Sequence, residues 1–172
     1  MALNFTDKQA IVSEVSQVAS TAVSMVAANY SGLSVAQMTK LRNQARDSGV
    51  YVRVVRNTLA RKALADTSFV CASDQLVGQL ILAFSKEEPG AAARVMRDFV
   101  KQNNALEVKF LSIGGALLAA NRLEAVAKLP SKDEAIAQLM AVMQAPIAKL
   151  AATIREPHAK LVRLFAAVKD NK

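Results

Sequence analysis

The sequence predicts an α+β (α/β) domain, a mixed sheet covered by helices, followed by a C-terminal helical extension. Three observations lead there. Apolar residues alternate between strand and helix spacing through about the first 120 positions. From Ser131 onward glycine disappears and the composition turns to Ala, Leu, Lys and Met, which is helix material. That tail also repeats itself every 11 residues. A chain of 172 residues, 52% of them hydrophobic, can bury one ordinary core and still carry such an extension.

Thr6 with Gln9 makes a capping-box pattern, and Ile11, Val12, Val15 and Val18 form the stripe of a first helix to about Ser20. Thr21–Tyr30 is small and β-branched and ends in Ser31-Gly32, so it reads as a buried strand closed by a turn. Ser34 and Gln37 repeat the capping box. Leu33, Met38 and Leu41 face inward, and Gly49 ends this second helix. Val50–Val55 is a strand that delivers the chain into a short helix, with Asn57 or Thr58 as its N-cap and Leu59, Ala63 and Leu64 on its apolar side.

Residues 66–75 look irregular, and 76–84 form a hydrophobic strand running to Ser85. Glu87, Glu88, Pro89 and Gly90 mark the next helix start, with acids at the favourable end of its dipole and Val95, Met96, Phe99 and Val100 turned inward. Residues 106–113 alternate, with Leu106, Val108 and Phe110 on one side and Glu107, Lys109 and Leu111 on the other. Gly114-Gly115 turns the chain, and residues 116–118 pair back. Helices resume at Asn121 and stop at Pro130. The layering is of ferredoxin-like type, with domain boundaries at 1–130 and 131–172.

The formal charge of +8 suggests a polyanionic partner, and its distribution says where. Residues 1–65 hold eight Lys or Arg against three acids, residues 66–130 are balanced, and residues 131–172 hold seven against four. Between Asp47 and Asp66 there is no acid. Arg53, Arg56, Asn57, Arg61 and Lys62 gather there around one helix N-terminus, whose unpaired N–H groups and dipole favour an anion. A phosphate backbone is the natural ligand; a solvated basic face is the bland alternative.

Enzyme chemistry has no residues to rest on. The one histidine, His158, lies inside the repeat, no Cys or His cluster has metal-ligand spacing, and no Gly-rich phosphate loop follows a strand. No catalytic residue, metal or cofactor is expected. The single cysteine, Cys71, excludes an internal disulfide and is expected to pack as a small apolar group in a reducing compartment. The start of the chain lacks the pattern of a secretory signal and no apolar run approaches the roughly 20 residues of a membrane span, so a cytoplasmic location is expected.

In the tail, Ser131 with Glu134 forms another capping box. Three segments then align, beginning at Ala135, Pro146 and Pro157. Eleven residues make close to three helical turns, so Leu139, Met143, Ile147, Leu150, Ile154, Leu161, Phe165 and Val168 stay near one face. Pro146 and Pro157 are expected to kink the helix or to open short successive helices. Ile147, Leu150, Ile154, Leu161, Phe165 and Val168 are the candidate partner-binding residues, flanked by Lys149, Lys160 and Arg163, which suit an acidic helical partner.

The strings Ala-Leu-Asn-Phe-Thr-Asp-Lys-Gln-Ala-Ile-Val (2–12), Arg-Val-Val-Arg-Asn-Thr-Leu-Ala-Arg (53–61), Pro-Gly-Ala-Ala-Ala-Arg (89–94) and Glu-Ala-Ile-Ala-Gln-Leu-Met (134–140) resemble the stalk-base protein family of the large ribosomal subunit, bacterial ribosomal protein ten. The likeness covers nearly the whole chain, although the last 25 or so residues match by pattern more than by residue. The resemblance implies a domain that binds large-subunit ribosomal RNA beside ribosomal protein eleven. It also implies a C-terminal helix that carries dimers of the acidic stalk protein seven/twelve and so supports recruitment of the translational GTPases. Two dimers are implied, on the two proline-led units, with three as the alternative. Repression of its own messenger RNA is a further property of the family.

Lys8, Lys40, Arg42, Arg53, Arg56, Asn57, Thr58, Arg61 and Lys62 are the candidate RNA-binding residues. Only 53–61 rests on a matching string; Lys40, Arg42 and Lys62 rest on charge. A free-standing RNA-binding translational regulator is the alternative function, and it would have no need of the repeated apolar helix. A small α/β enzyme ranks last.

Overall fold

The computed structural model describes residues 4–86, 88–103 and 105–170. The chain divides into two compact units, Met1–Ser131 and Lys132–Lys172.

The first unit is built on a five-stranded sheet of β1 (Ser24–Asn29), β2 (Val50–Val54), β3 (Leu80–Ser85), β4 (Glu107–Ile113) and β5 (Ala116–Ala119), in the order β2-β3-β1-β4-β5. All four pairings are antiparallel. The helices are α1 (Phe5–Thr21), α2 (Val35–Asp47), α3 (Asn57–Leu64), α4 (Ala91–Gln102) and the short α5 (Leu123–Ala127). β1-α2-β2 and β3-α4-β4 are the two halves of a ferredoxin-like split βαβ arrangement. The α+β class is as expected, and helices cover both faces of the sheet.

Side-chain alternation explains the double cover. Along β1 the odd positions Met25 and Ala27 enter one apolar cluster, with Val15, Val18, Ala60, Leu64 and Phe84. The even positions Val26 and Ala28 enter the other, with Leu41, Met96, Phe99, Ile81 and Leu111. α1 and α3 therefore lie on one face, and α2, α4 and α5 on the other. Ser34 caps α2 as expected: its Oγ accepts from the Gln37 N–H at 3.3 Å, and the Gln37 side chain accepts from the Ser34 N–H at 2.9 Å. Gly114 and Gly115 have φ of 54° and 86°, the paired positive values a tight hairpin needs between β4 and β5.

Several expectations are corrected. α1 is capped by Asn4, whose N–H donates to Asp7 Oδ2 at 3.3 Å, so the capping box sits two residues earlier than Thr6 and Gln9. α3 starts at Asn57 with Arg56 in the N-cap position, because the Asn57 side chain is drawn away to donate to the Gly78 carbonyl at 2.9 Å. Residues 76–79 stay outside β3, where Gly78 turns the chain at φ 95°. In β4, Ala27 opposes Phe110 and Ala28 opposes Val108, so Lys109 is a bulge. That extra residue sends Val108 and Phe110 to opposite faces, and Leu111, expected outward, is buried. Cys71 is exposed rather than packed, its thiol donating to the Gly115 carbonyl at 2.9 Å. Glu88 pairs with Arg94 at 2.9 Å. Glu87 lies outside the described residues.

The second unit is one helix, α6 (Lys132–Asp170), with Pro146 and Pro157 inside it. The successive short helices are not formed. Each proline removes the N–H that would meet a carbonyl one turn back, those of Val142 and Thr153.

Phe110, fully buried in the α1/α3 cluster, gives a test of the register. Phe110→Ala is expected to lower the unfolding free energy by about 3–5 kcal/mol, read from urea denaturation. Deleting Lys109 is expected to leave unfolding cooperative, because Val108 and Phe110 then follow one another in regular alternation, still opposite Ala28 and Ala27 and on their present faces.

Candidate nucleic-acid interface and docking helix

β2 is an edge strand, paired only with β3, and its far side is open. Along that edge lies a groove of about 460 Å³ formed by residues 50–54 with Arg42 and Arg46 from α2. No acid lines it. Arg42 and Arg46, one turn apart, are exposed and have no ion pair among the described residues. The sequence places Arg46 with Lys40 and Arg42 on the outer side of α2, but it is not among the candidate RNA-binding residues; its spacing of four from Arg42 is the signal that adds it.

A second groove of about 470 Å³ begins where the first ends, at Val54, and runs along Arg56, Asn57 and Thr58, with Gly78 and Gln79 on its other side. Here α3 opens. Arg56 supplies no side-chain cap, and its carbonyl accepts from Leu59 and Ala60, so the amides of Asn57 and Thr58 precede the intrahelical ladder. The Arg56 side chain is exposed beside them.

Not every candidate cation is available. Arg53 is held by its neighbours: its Nη1 donates to the Tyr51 hydroxyl at 2.9 Å and pairs with Glu14, while that hydroxyl donates to Glu14 at 2.6 Å. The trio fastens α1 to the sheet edge. Arg61 donates through Nε to the Ser73 carbonyl at 3.1 Å and through Nη2 to the Leu76 carbonyl at 3.0 Å, anchoring the turn before β3. Lys8, Lys40 and Lys62 line neither groove. Arg42, Arg53, Arg56, Asn57 and Thr58 are thus the candidates that the fold brings to one continuous edge.

The trio also sets protonation. The hydrogen bond from Tyr51, and then Arg53, holds the Glu14 carboxyl below the ordinary glutamate range. Burial, and then the bond to Glu14, push the Tyr51 hydroxyl up. Arg53 is raised, first by Tyr51 and then by Glu14.

On α6 the candidate docking residues are all solvent-exposed, Ile147 and Phe165 by 72%, Ile154 by 68%, Leu150 by 64%, Leu161 and Val168 by 57%. At about 100° per residue they fall, with Leu139 and Met143, inside an arc of roughly 80°. Ile136, 45% exposed and three residues before Leu139, continues the same stripe. By length and composition alone one stretch of α6 could cross a bilayer. Across residues 135–152, however, the arc opposite the stripe holds only Ala, Gln and Lys149, as in an amphipathic helix.

A basic domain with an arginine-lined sheet edge and a helix with an exposed apolar stripe define a scaffold, a class of protein that works by being bound. The description "Ribosomal protein L10" belongs to the family model that matches residues 4–101, and "Ribosomal protein uL10 C-terminal region" to the one that matches 129–172. The chain is 56% identical over its full length to the large ribosomal subunit protein uL10 of Alcanivorax borkumensis and to that of Psychrobacter sp. (strain PRwf-1), covering 98% of each. The corresponding protein of Coxiella burnetii (strain Dugway 5J108-111) is 51% identical over the same span, 99% of its length.

The chain belongs to the ribosomal protein L10 family. It is a structural protein of the large ribosomal subunit, not an enzyme, and its place is in the ribosome in the cytoplasm.

Because the folded state depresses the Glu14 pKa, its contribution to stability is full above the unfolded glutamate value of about 4.3 and is lost as pH falls through the lower folded value. Urea titrations of the wild type and Glu14→Gln should differ most near pH 6–7 and converge at about pH 3 and below. A difference that grows on acidification contradicts the trio.

Proposed function

We propose that the domain holds large-subunit ribosomal RNA along the β2 edge and the entry to α3. What supports the reading most is the continuity of the two grooves, lined by Arg42, Arg46 and Arg56 without an opposing acid. Folded RNA is recognised largely through shape and phosphate contacts, so arginines and free backbone donors suffice without aromatic stacking. Ribosomal protein eleven is the proposed neighbour on the same RNA.

α6 is the proposed carrier of acidic stalk-protein dimers. Its units beginning at Pro146 and Pro157 each present a similar footprint, Ile147, Leu150 and Ile154 followed by Leu161, Phe165 and Val168. Eleven residues advance the helix by about 16 Å and rotate it by about 20°, room for two partner helices of about 10 Å diameter side by side. Lys149, Lys160 and Arg163 would attract an acidic partner. Dimers seated there would recruit translational GTPases to the ribosome. A free-standing regulator of translation would use the first surface and leave the second without purpose.

Arg42→Ala combined with Arg56→Ala should reduce the slope of log K against log salt for a ribosomal RNA fragment by roughly 1.5, about two phosphate contacts, with little change in melting temperature. An unchanged slope overturns the RNA assignment. Native mass spectrometry of the chain lacking residues 157–172, mixed with the acidic stalk protein, should show one dimer in place of two. The same count in both chains refutes the footprint reading.

A further inference from the structure

The string from Pro89 to Arg94 is among the four that carry the family resemblance, yet neither groove nor the stripe on α6 uses it. Its surroundings give it a task. Ala91, Ala92 and Ala93 are buried at the start of α4. Gly90 lies against the end of α5 and the chain just after it: a Cβ there would stand 3.0 Å from the Val126 carbonyl oxygen and 3.3 Å from that of Leu129. With φ at −88° the backbone suits any residue, so close approach is what asks for glycine.

One turn on, Arg94 closes over the same segment. Its Nε donates to the Ala127 carbonyl at 3.1 Å and its Nη2 to the Leu129 carbonyl at 2.5 Å, while Nη1 pairs with Glu88 at 2.9 Å. The N–H groups of Lys128 and Leu129 are bonded to the carbonyls of Glu124 and Val126, at 3.2 and 3.1 Å. Through Leu129 the backbone is therefore held on both donor and acceptor sides. α5 has only five residues, far fewer than the roughly 12–15 a helix needs to persist alone. Its fixity must come from such contacts.

We propose that Arg94, braced by Glu88 and given room by Gly90, is a clasp on the root of α6 that confines the arm's pivot to the chain beyond Leu129. Arg94 is a positioning residue. The planar fork reaches two carbonyls and a carboxylate at once, which a lysine ammonium cannot reproduce with the same geometry. The pair with Glu88 is partly exposed, so the clasp is a moderate and salt-sensitive hold rather than a lock. Without it the free segment would extend back toward α4. Its importance for carrying partners rests on the docking reading above; the clasp itself does not.

The test uses the full chain, with no RNA or acidic partner present. Nitroxide labels at the native Cys71 and at Ala141→Cys, both exposed, report the distance distribution between domain and arm by double electron–electron resonance. Arg94→Gln should broaden that distribution by roughly half and speed amide exchange at residues 126–129 severalfold, leaving exchange in α1 unchanged. Arg94→Lys should broaden it less, and it serves in place of Arg94→Gln if that variant does not fold. A distribution of unchanged width overturns the clasp, including when the melting temperature falls, since that would mark Arg94 as a stabilising residue alone. Failure of the docking reading would show instead in the partner count.

Discussion

Burial of β1 and β3 on both faces is the constraint on which the rest of the domain depends. An antiparallel sheet commonly keeps one face wet, and its strands then alternate apolar with polar. Here five of the six residues of β1 and all six of β3 are buried, so helices are required on each side. Small side chains at Ala27, Ala28 and Ala83 bring those helices close to the sheet. A domain filled in this way has no interior position for an unpaired cation. Its arginines are displaced to the outer helix faces and to β2, whose residues grade from buried Val50 to exposed Val54.

An open edge strand is ordinarily a hazard, because its unpaired N–H and C=O groups invite another strand. β2 is short, and Arg42, Arg46 and Arg53 surround it. Their like charges repel a second copy of the same edge, and those same charges beside free amides are what a phosphate backbone requires. On the RNA reading, protection against aggregation and affinity for nucleic acid come from one arrangement. Glu14 and Tyr51 steady that arrangement by fixing Arg53 and thereby joining α1 to the edge.

Local pattern carried most of the fold. The Ser34–Gln37 cap, the inward set on α4 and the Gly114-Gly115 hairpin were legible because neighbouring residues decide each of them. What the sequence left hidden was decided by partners far along the chain. The bulge at Lys109 depends on how β1 pairs with β4, and period-two alternation cannot reveal a residue that the partner strand skips. Asn57 looked like a cap, but its side chain meets the Gly78 carbonyl, and Arg61, a candidate phosphate ligand, also donates to the carbonyls of Ser73 and Leu76; these acceptors come from a distant turn. Cys71 was misplaced for a related reason: a 3-10 turn over residues 70–75 leaves its thiol outside while Ala72 is buried. On α6, periodicity alone located the stripe from Leu139 to Val168 and missed Ile136 at its start, while Met140, Val142, Val162 and Leu164 are exposed outside that arc.

The prolines of α6 remain to be reconciled with a single helix. Each costs about 3 kcal/mol or more in a helix interior, and nothing in local propensity repays that. A stripe repeating every 11 residues has a weakness of its own: a partner can shift by three or four residues and still meet apolar side chains. Pro146 and Pro157 break that degeneracy. Each marks the start of one unit with a missing donor and a carbonyl left open one turn earlier, at Val142 and Thr153, so adjacent registers are no longer equivalent. On the docking reading the cost in helix stability becomes a gain in specificity, with one defined seat per unit and no partner straddling two.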